Sequence, residues 1–344
     1  MANRQVTKDV SDSVIAGAAL ADFYLNKLNR LIEAHVGDNT RVVVNSGGYL
    51  IPLQIGDHWF LIDTATDVDA VDDLDTGTLA AGTNYYVYAC TDGSTLSFKV
   101  SAASTYPSGF DAAHSRKIGG FHTLCVAAGT ISGHTLTDFA VKDILPASIW
   151  DLRHRPRSNP EGMVYVTAIQ KWVDIYLTSG TGGSTASAYG ATISDTRDWN
   201  DFCDDYAAVG KRLLSDHEFQ AAAAGSNEET NITASADPVT TGGHVDTGSR
   251  RMISNWGLED CCGALWQWLL DQSAYVDAAI AVGWYDLPGS KGQLYRPEDT
   301  GDVKLLAGGN WADGAGCGSR ARYAGYYRWA TSSSFGGRAL SDPL

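Results

Sequence analysis

GGNWADGAGCGSRARYAGYYRWATSSSFGGR, residues 308–338, follows neither a helical nor a strand period over its whole length. Glycine pairs, Trp311, Ser319, Arg320, Phe335 and Arg338 punctuate it. Between them lie Ala, Asp, Gly, Ser and Tyr. The punctuation suits a framework. Glycine allows tight turns, Trp311 and Phe335 bury aromatic area, and Arg320 and Arg338 offer planar five-donor forks. The filling suits recognition, because tyrosine supplies contact area at low entropic cost and glycine or serine supplies adaptability. Tyr323, Tyr326 and Tyr327 read equally well as core filling.

The chain before this stretch is consistent with a β-rich, loop-rich protein of two or three domains. It has 344 residues, 37 glycines, 16 tyrosines and 10 tryptophans, and only 19% charged residues. A net charge of −15 would repel a phosphate backbone, which argues against nucleic-acid binding and against an anionic membrane surface. No apolar run reaches the length of a membrane helix, and MANRQVTKDVSDSV lacks a signal-peptide core. Assembly in the cytoplasm follows as the expectation. The six cysteines, Cys90, Cys125, Cys203, Cys261, Cys262 and Cys317, form no CxxC pair and read as buried free thiols, with a bridge from Cys317 to Cys261 or Cys262 left open.

Three regions separate by pattern. In residues 11–36, Val14, Ala18, Ala21, Leu25, Leu28 and Ile32 recur in steps of four and three. A helical or oligomerising segment is therefore expected over 1–40. RVVV, YLIPLQI, HWFLI, NYYVYAC and LSFKV, divided by glycine turns, predict an antiparallel β-sandwich over 41–142. Its run DTATDVDAVDDLDTG (63–77) holds six aspartates without EF-hand spacing and reads as a solvated acidic loop. The domain over 143–344 is rich in tryptophan. Helices are expected over 198–213 and 215–225, the second capped by Ser215 with Glu218. Residues 226–250 read as a loop and GALWQWLL as a strand. No phosphate loop, HExxH or GxSxG motif occurs, and the eight histidines are scattered. His154 reads as structural and His217 as a helix-surface residue.

An ordered series of segments then resembles a known family. NYYVYACTDGS, SRKIGGFH (115–122), SIWDLRHRP (148–156), GMVYVTAIQKWVDIYL (162–177), GKRLLSDHEFQAAAAGSNEET (210–230), NWGLEDCCGALWQW (255–268) and GGNW…GSRA…FGGR are similar to the tropism-determinant family of phage tail-fibre proteins, the variable products of diversity-generating retroelements. That family begins with a β-rich segment where this chain has its helical period. The resemblance implies an α+β, mostly β fold: an N-terminal helix, a β-sandwich, then a C-type lectin fold of the formylglycine-generating-enzyme type. It implies a homotrimer in the virion, attached to other tail-fibre proteins, that binds a bacterial cell-surface protein or glycan without catalysis or cofactor. The diversified positions would be Asn310, Ala312, Asp313, Gly314, Gly316, Tyr323, Gly325, Tyr326, Ala330, Ser332 and Ser334. All are types that adenine mutagenesis of asparagine-type codons can reach. Trp311, Arg320, Phe335 and Arg338 would be the constant scaffold. Two other readings are a variable ligand-binding protein of a bacterial cell and an oxidase sharing the lectin-type fold. The oxidase would need metal-binding cysteines or histidines near the end of the chain, where only Cys317 stands.

Overall fold

The computed structural model describes residues 4–5, 30–273, 283–286, 289–296 and 303–344. Most of the helical-period stretch, up to residue 29, lies outside them. Its end departs from the expectation, because Ile32–Ala34 is a strand paired antiparallel with Arg41–Val44. The physical reason is local. Ile32 is wholly buried, and the Asp151 carboxylate accepts the amides of Leu31 and Ile32 at 2.6 and 3.2 Å, so the backbone is satisfied in extended form.

By internal contacts the described chain forms two compact units. The first comprises residues up to 124 together with 141–155 and Leu344. Ile32–Ala34, Arg41–Val44 and Thr66–Asp69 make one antiparallel sheet, and Arg4–Gln5, His58–Ile62 and Ile51–Ile55 another. A four-stranded sheet runs Trp150–Asp151, Ser115–His122, Asn84–Thr91, Leu96–Ser101. Alternate residues of all three, among them Val42, Val44, Leu53, Ile55, Phe60, Ile62, Val87, Val100 and Ile118, enclose one apolar core. Gly119 and Gly120 are required where Trp150 crosses. A Cβ on Gly119 would stand 2.3 Å from the Trp150 carbonyl oxygen. The acidic run is more than a solvated face: Asp69 accepts the Val71 amide at 2.8 Å, and Asp75 accepts the Ser108 amide at 2.7 Å.

His122 closes this unit's longest strand pair, with Nδ1 at 2.7 Å from Asn84 Oδ1. Burial lowers its pKa from 6.5 to about 3. The unfolded chain therefore takes up the proton first. Stability supplied by neutral His122 is complete above pH 6.5 and drains away as pH falls from 6.5 towards 3. We expect His122→Asn to flatten that limb of the pH–stability curve, followed by urea unfolding at several pH values.

The second unit comprises residues 125–140 and 156–343. Helix α1, Trp199–Ala208, starts on an Asp198–Asp201 capping box. Helix α2, Asp216–Ala222, starts on the expected Ser215–Glu218 box. Both are shorter than the sequence pattern suggests. Gly210 takes a left-handed φ of 70°, and Arg212–Leu213 then joins a sheet. That sheet runs Met163–Val166, Lys171–Asp174, Ala339–Ser341, Arg212–Leu213, with the last strand of the chain placed inside it. A six-stranded sheet runs Gly283–Asp286, Gln293–Arg296, Gly318–Tyr327, Val303–Gly308, Trp266–Ser273, Phe335–Gly336. Phe202 and Tyr206 of α1 pack with Trp266, Trp268, Leu306, Ala321 and Phe335 of this sheet. Among the described residues all six cysteines are free thiols, and no helix is long and apolar enough to cross a membrane.

Candidate functional site

Strand Val303–Gly308 and strand Gly318–Tyr327 pair antiparallel, and the connection between them is tied to the frame at both ends. Gly308 and Gly309 have φ of 97° and 88°, and a Cβ would meet the Cys261 carbonyl oxygen at 2.4 Å or Cys317 Sγ at 2.6 Å. Beyond them the loop caps itself. Asp313 accepts the Asn310 amide at 2.9 Å, and Asn310 Oδ1 accepts the Ala312 amide at 2.7 Å. Burial raises the Asp313 carboxyl, against the lowering effect of the Asn310 amide and of Trp266.

Two carboxylates hold the long strand. Glu228 accepts the Ser319 amide at 2.9 Å, the Ser319 hydroxyl at 2.7 Å and Lys291 Nζ at 3.1 Å. Asp216 pairs with buried Arg322, whose guanidinium lies 5.2 Å from the Phe219 ring centre. The buried fork on this strand is therefore Arg322. Arg320, the expected scaffold fork, is exposed: residues two apart share a face of a regular strand, but the pairing with Val303–Gly308 shifts register between Gly318 and Arg322, and the two arginines part there.

Arg338 is 1% exposed. It donates from Nε to Gln267 Oε1 at 3.0 Å, from Nη1 to the Asp174 carbonyl at 2.7 Å and also to that of Ile175, and from Nη2 to the carbonyl of Glu259. One side chain thus ties two backbone segments, Asp174–Ile175 and Glu259, to the Gln267 side chain. Phe335 is buried edge-on to Trp268, with ring centres 5.3 Å apart. Trp311 is half-buried, and its carbonyl accepts from Asn231.

The eleven positions are distributed unevenly over this frame. Ala312 and Tyr326 are exposed. Asn310, Asp313, Gly314, Tyr323, Gly325, Ala330, Ser332 and Ser334 are half-buried. Gly316 is buried, because the short 3₁₀ turn Gly314–Gly316 folds it inward.

An aromatic array extends from the tail to strands outside it. Tyr323 is stacked between Tyr295 (4.6 Å, 9°) and Tyr326 (4.9 Å, 17°). Trp284 meets Tyr295 and Tyr323 edge-on at 5.1 and 5.8 Å and lies parallel to Trp266 at 6.1 Å. Trp284 and Tyr326 stay 39% and 37% exposed. Trp284, Tyr295, Glu228 and Arg322 were not singled out from the sequence. Their role comes from strand pairing between segments distant in the chain, and the one available signal was the YxxxxxxxxxY and W spacing in a tryptophan-rich region, which carries no specificity. The surface so made combines flat aromatic rings, short hydroxyl and amide side chains and glycine. It is suited to non-covalent recognition. Among the described residues no three His, Cys, Asp or Glu side chains gather as metal ligands. Burial pushes the Cys317 thiol up, as it does Cys261 and Cys262, and that disfavours a thiolate.

Comparison with known proteins agrees with this description. Residues 35–151 match the family described as the Mtd second domain. The chain is 30% identical over 321 residues to the tail fiber receptor-binding protein of Bordetella phage BPP-1, covering 83% of this chain and 75% of that one. Solved structures of the Major Tropism Determinant U1 and M1 variants superpose with TM-scores of 0.72 and 0.71 at 25% and 26% identity, over 92% of this chain and 84% of each of theirs. The fold is mostly β and contains the C-type lectin fold of those structures.

Proposed function

Because the chain belongs to the Major Tropism Determinant family of phage tail-fibre receptor-binding proteins, we propose that it is a receptor-binding protein of a phage tail fibre. It sets host choice by binding a bacterial surface protein or glycan through the face built on residues 308–338, and it performs no catalysis. The observation that carries this reading is the division of labour within those residues. Arg322, Phe335 and Arg338 are buried and held by distant segments, while Ala312 and Tyr326 of the same stretch face solvent. Such a face can change its side chains while the frame stays fixed, since exposed substitutions away from special features cost within about 0.5 kcal/mol.

The eleven positions are the sites of retroelement diversification in this reading. The protein works as a homotrimer on a virion that is assembled in the host cytoplasm. Three weak faces then bind together, and avidity raises affinity by roughly 10²–10⁴. Exchange of Ala312, Ala330 and Ser334 together, within the set Asn, Asp, Ser, Ala, Gly and Tyr, tests the reading. Binding to cells of the plating strain should be lost or redirected, while the melting temperature moves by less than about 5 °C. Unchanged adsorption by every such variant would reject it.

A further inference from the structure

Trp329 is the most exposed aromatic side chain among the described residues, at 62%. It lies between Tyr326 and Ala330, yet it is not one of the eleven positions. Its setting is rigid. Tyr327 lies parallel to it, with ring centres 4.8 Å apart and planes 5° apart, so one indole face is covered and the other open. The Ala330 amide donates to the Tyr327 carbonyl at 3.0 Å, closing a turn around it. Both flanks of that turn are tied to the segment leading into α1. The Trp199 amide donates to the Arg328 carbonyl at 2.9 Å, and the Thr196 amide to the Ser332 carbonyl at 3.0 Å. The Arg328 guanidinium also lies 5.3 Å from the Trp199 ring centre.

We infer that Trp329 is a fixed stacking platform for a pyranose ring, so that the receptor class read by this face is a surface glycan. The inference rests on the receptor-binding reading above. The half-covered indole favours a glycan over a protein. A tryptophan that plugs a protein pocket gains by burying both faces, whereas a ring backed by a parallel partner offers a single flat face. The axial C–H bonds of a sugar present a matching flat, weakly positive surface to that face. Exposed Thr331, two residues on, carries a hydroxyl suited to sugar hydroxyls. The net charge of −15 favours a neutral sugar over an acidic one. Because the turn is already pinned, stacking costs little ordering entropy.

The test is adsorption of the full-length protein to plating-strain cells that are untreated, treated with periodate (which cleaves vicinal diols), or treated with protease. Trp329→Ala, Trp329→Tyr and Tyr326→Ser are compared, with thermal melts of each. We expect periodate to abolish binding and protease to spare it. Trp329→Ala should weaken binding at least about tenfold at an unchanged melting temperature, with partial rescue by Trp329→Tyr. Binding that survives periodate but not protease overturns the glycan assignment. Periodate-sensitive binding that Trp329→Ala leaves intact overturns the role of Trp329. If neither Trp329→Ala nor Tyr326→Ser changes adsorption, the receptor-binding reading of this face fails with it.

Discussion

Replacing Arg338 by methionine is expected to destabilise the C-terminal unit by about 3–5 kcal/mol, enough to unfold it under ordinary conditions. The side chain is of similar length, so the loss is chiefly electrostatic. The carbonyls of Asp174, Ile175 and Glu259 and the Gln267 amide oxygen would lose their shared donor in a buried place. Each unsatisfied acceptor costs about 1–3 kcal/mol. Burial raises the pKa of Asp174, and Lys211 and Arg338 work against that rise. Lysine should not rescue, because one ammonium cannot reproduce a planar fork with donors on three sides. Urea unfolding followed by near-ultraviolet circular dichroism checks this. A cost below about 1 kcal/mol would mean that the carbonyls find other donors.

Tyr323 and Tyr326 are expected to respond in opposite ways to the same change. Tyr323→Ser removes the middle ring of a stack and leaves Tyr295, Trp284 and Tyr326 facing a gap, at a cost of about 2 kcal/mol or more. Tyr326→Ser removes an outer ring that is already 37% exposed and should cost under about 1 kcal/mol. Binding should follow the reverse order per unit of stability lost. Tyr326→Ser should lower adsorption at least tenfold without unfolding, since an exposed tyrosine on a rigid strand is a typical hot spot. Melting curves and cell adsorption of the two single variants and the double variant decide it. Equal stability losses would contradict the stack.

Features carried by neighbouring residues were legible in the sequence. The Ser215–Glu218 box, the strand GALWQWLL, the need for glycine at 308 and 309, and buried Phe335 and Arg338 all follow from residue type and short spacing. Others depend on segments far apart in the chain. Nothing local distinguishes Arg320 from Arg322 until the register shift between Gly318 and Arg322 and the Asp216 carboxylate do so. Trp284 and Tyr295 join the face only because Gln293–Arg296 pairs in parallel with Gly318–Tyr327, which no short-range signal announces. Ile32 fits a heptad as well as it fits a strand, and the Asp151 side chain, over a hundred residues away, settles it as strand. Gly316 shows the limit on the candidate face itself, because residue type alone does not reveal which way a tight turn points.

The position of Ala339–Ser341 inside a sheet, beside Lys171–Asp174 and Arg212–Leu213, has a consequence for how the protein is made. Trp172 waits for Ser341, which the ribosome adds roughly 170 residues later, on the order of ten to thirty seconds at ordinary elongation speeds. Residues up to 124 can complete their sheets while the rest is still being translated, apart from the strand at Trp150–Asp151 that soon follows. The later unit cannot close before Ala339–Ser341 has been made. A message cut short before Ala339 therefore yields a protein with a sheet missing an inner strand and a core open to proteases. Only chains read through residues 308–338, and through Ala339–Ser341 after them, reach the closed sheet of the second unit.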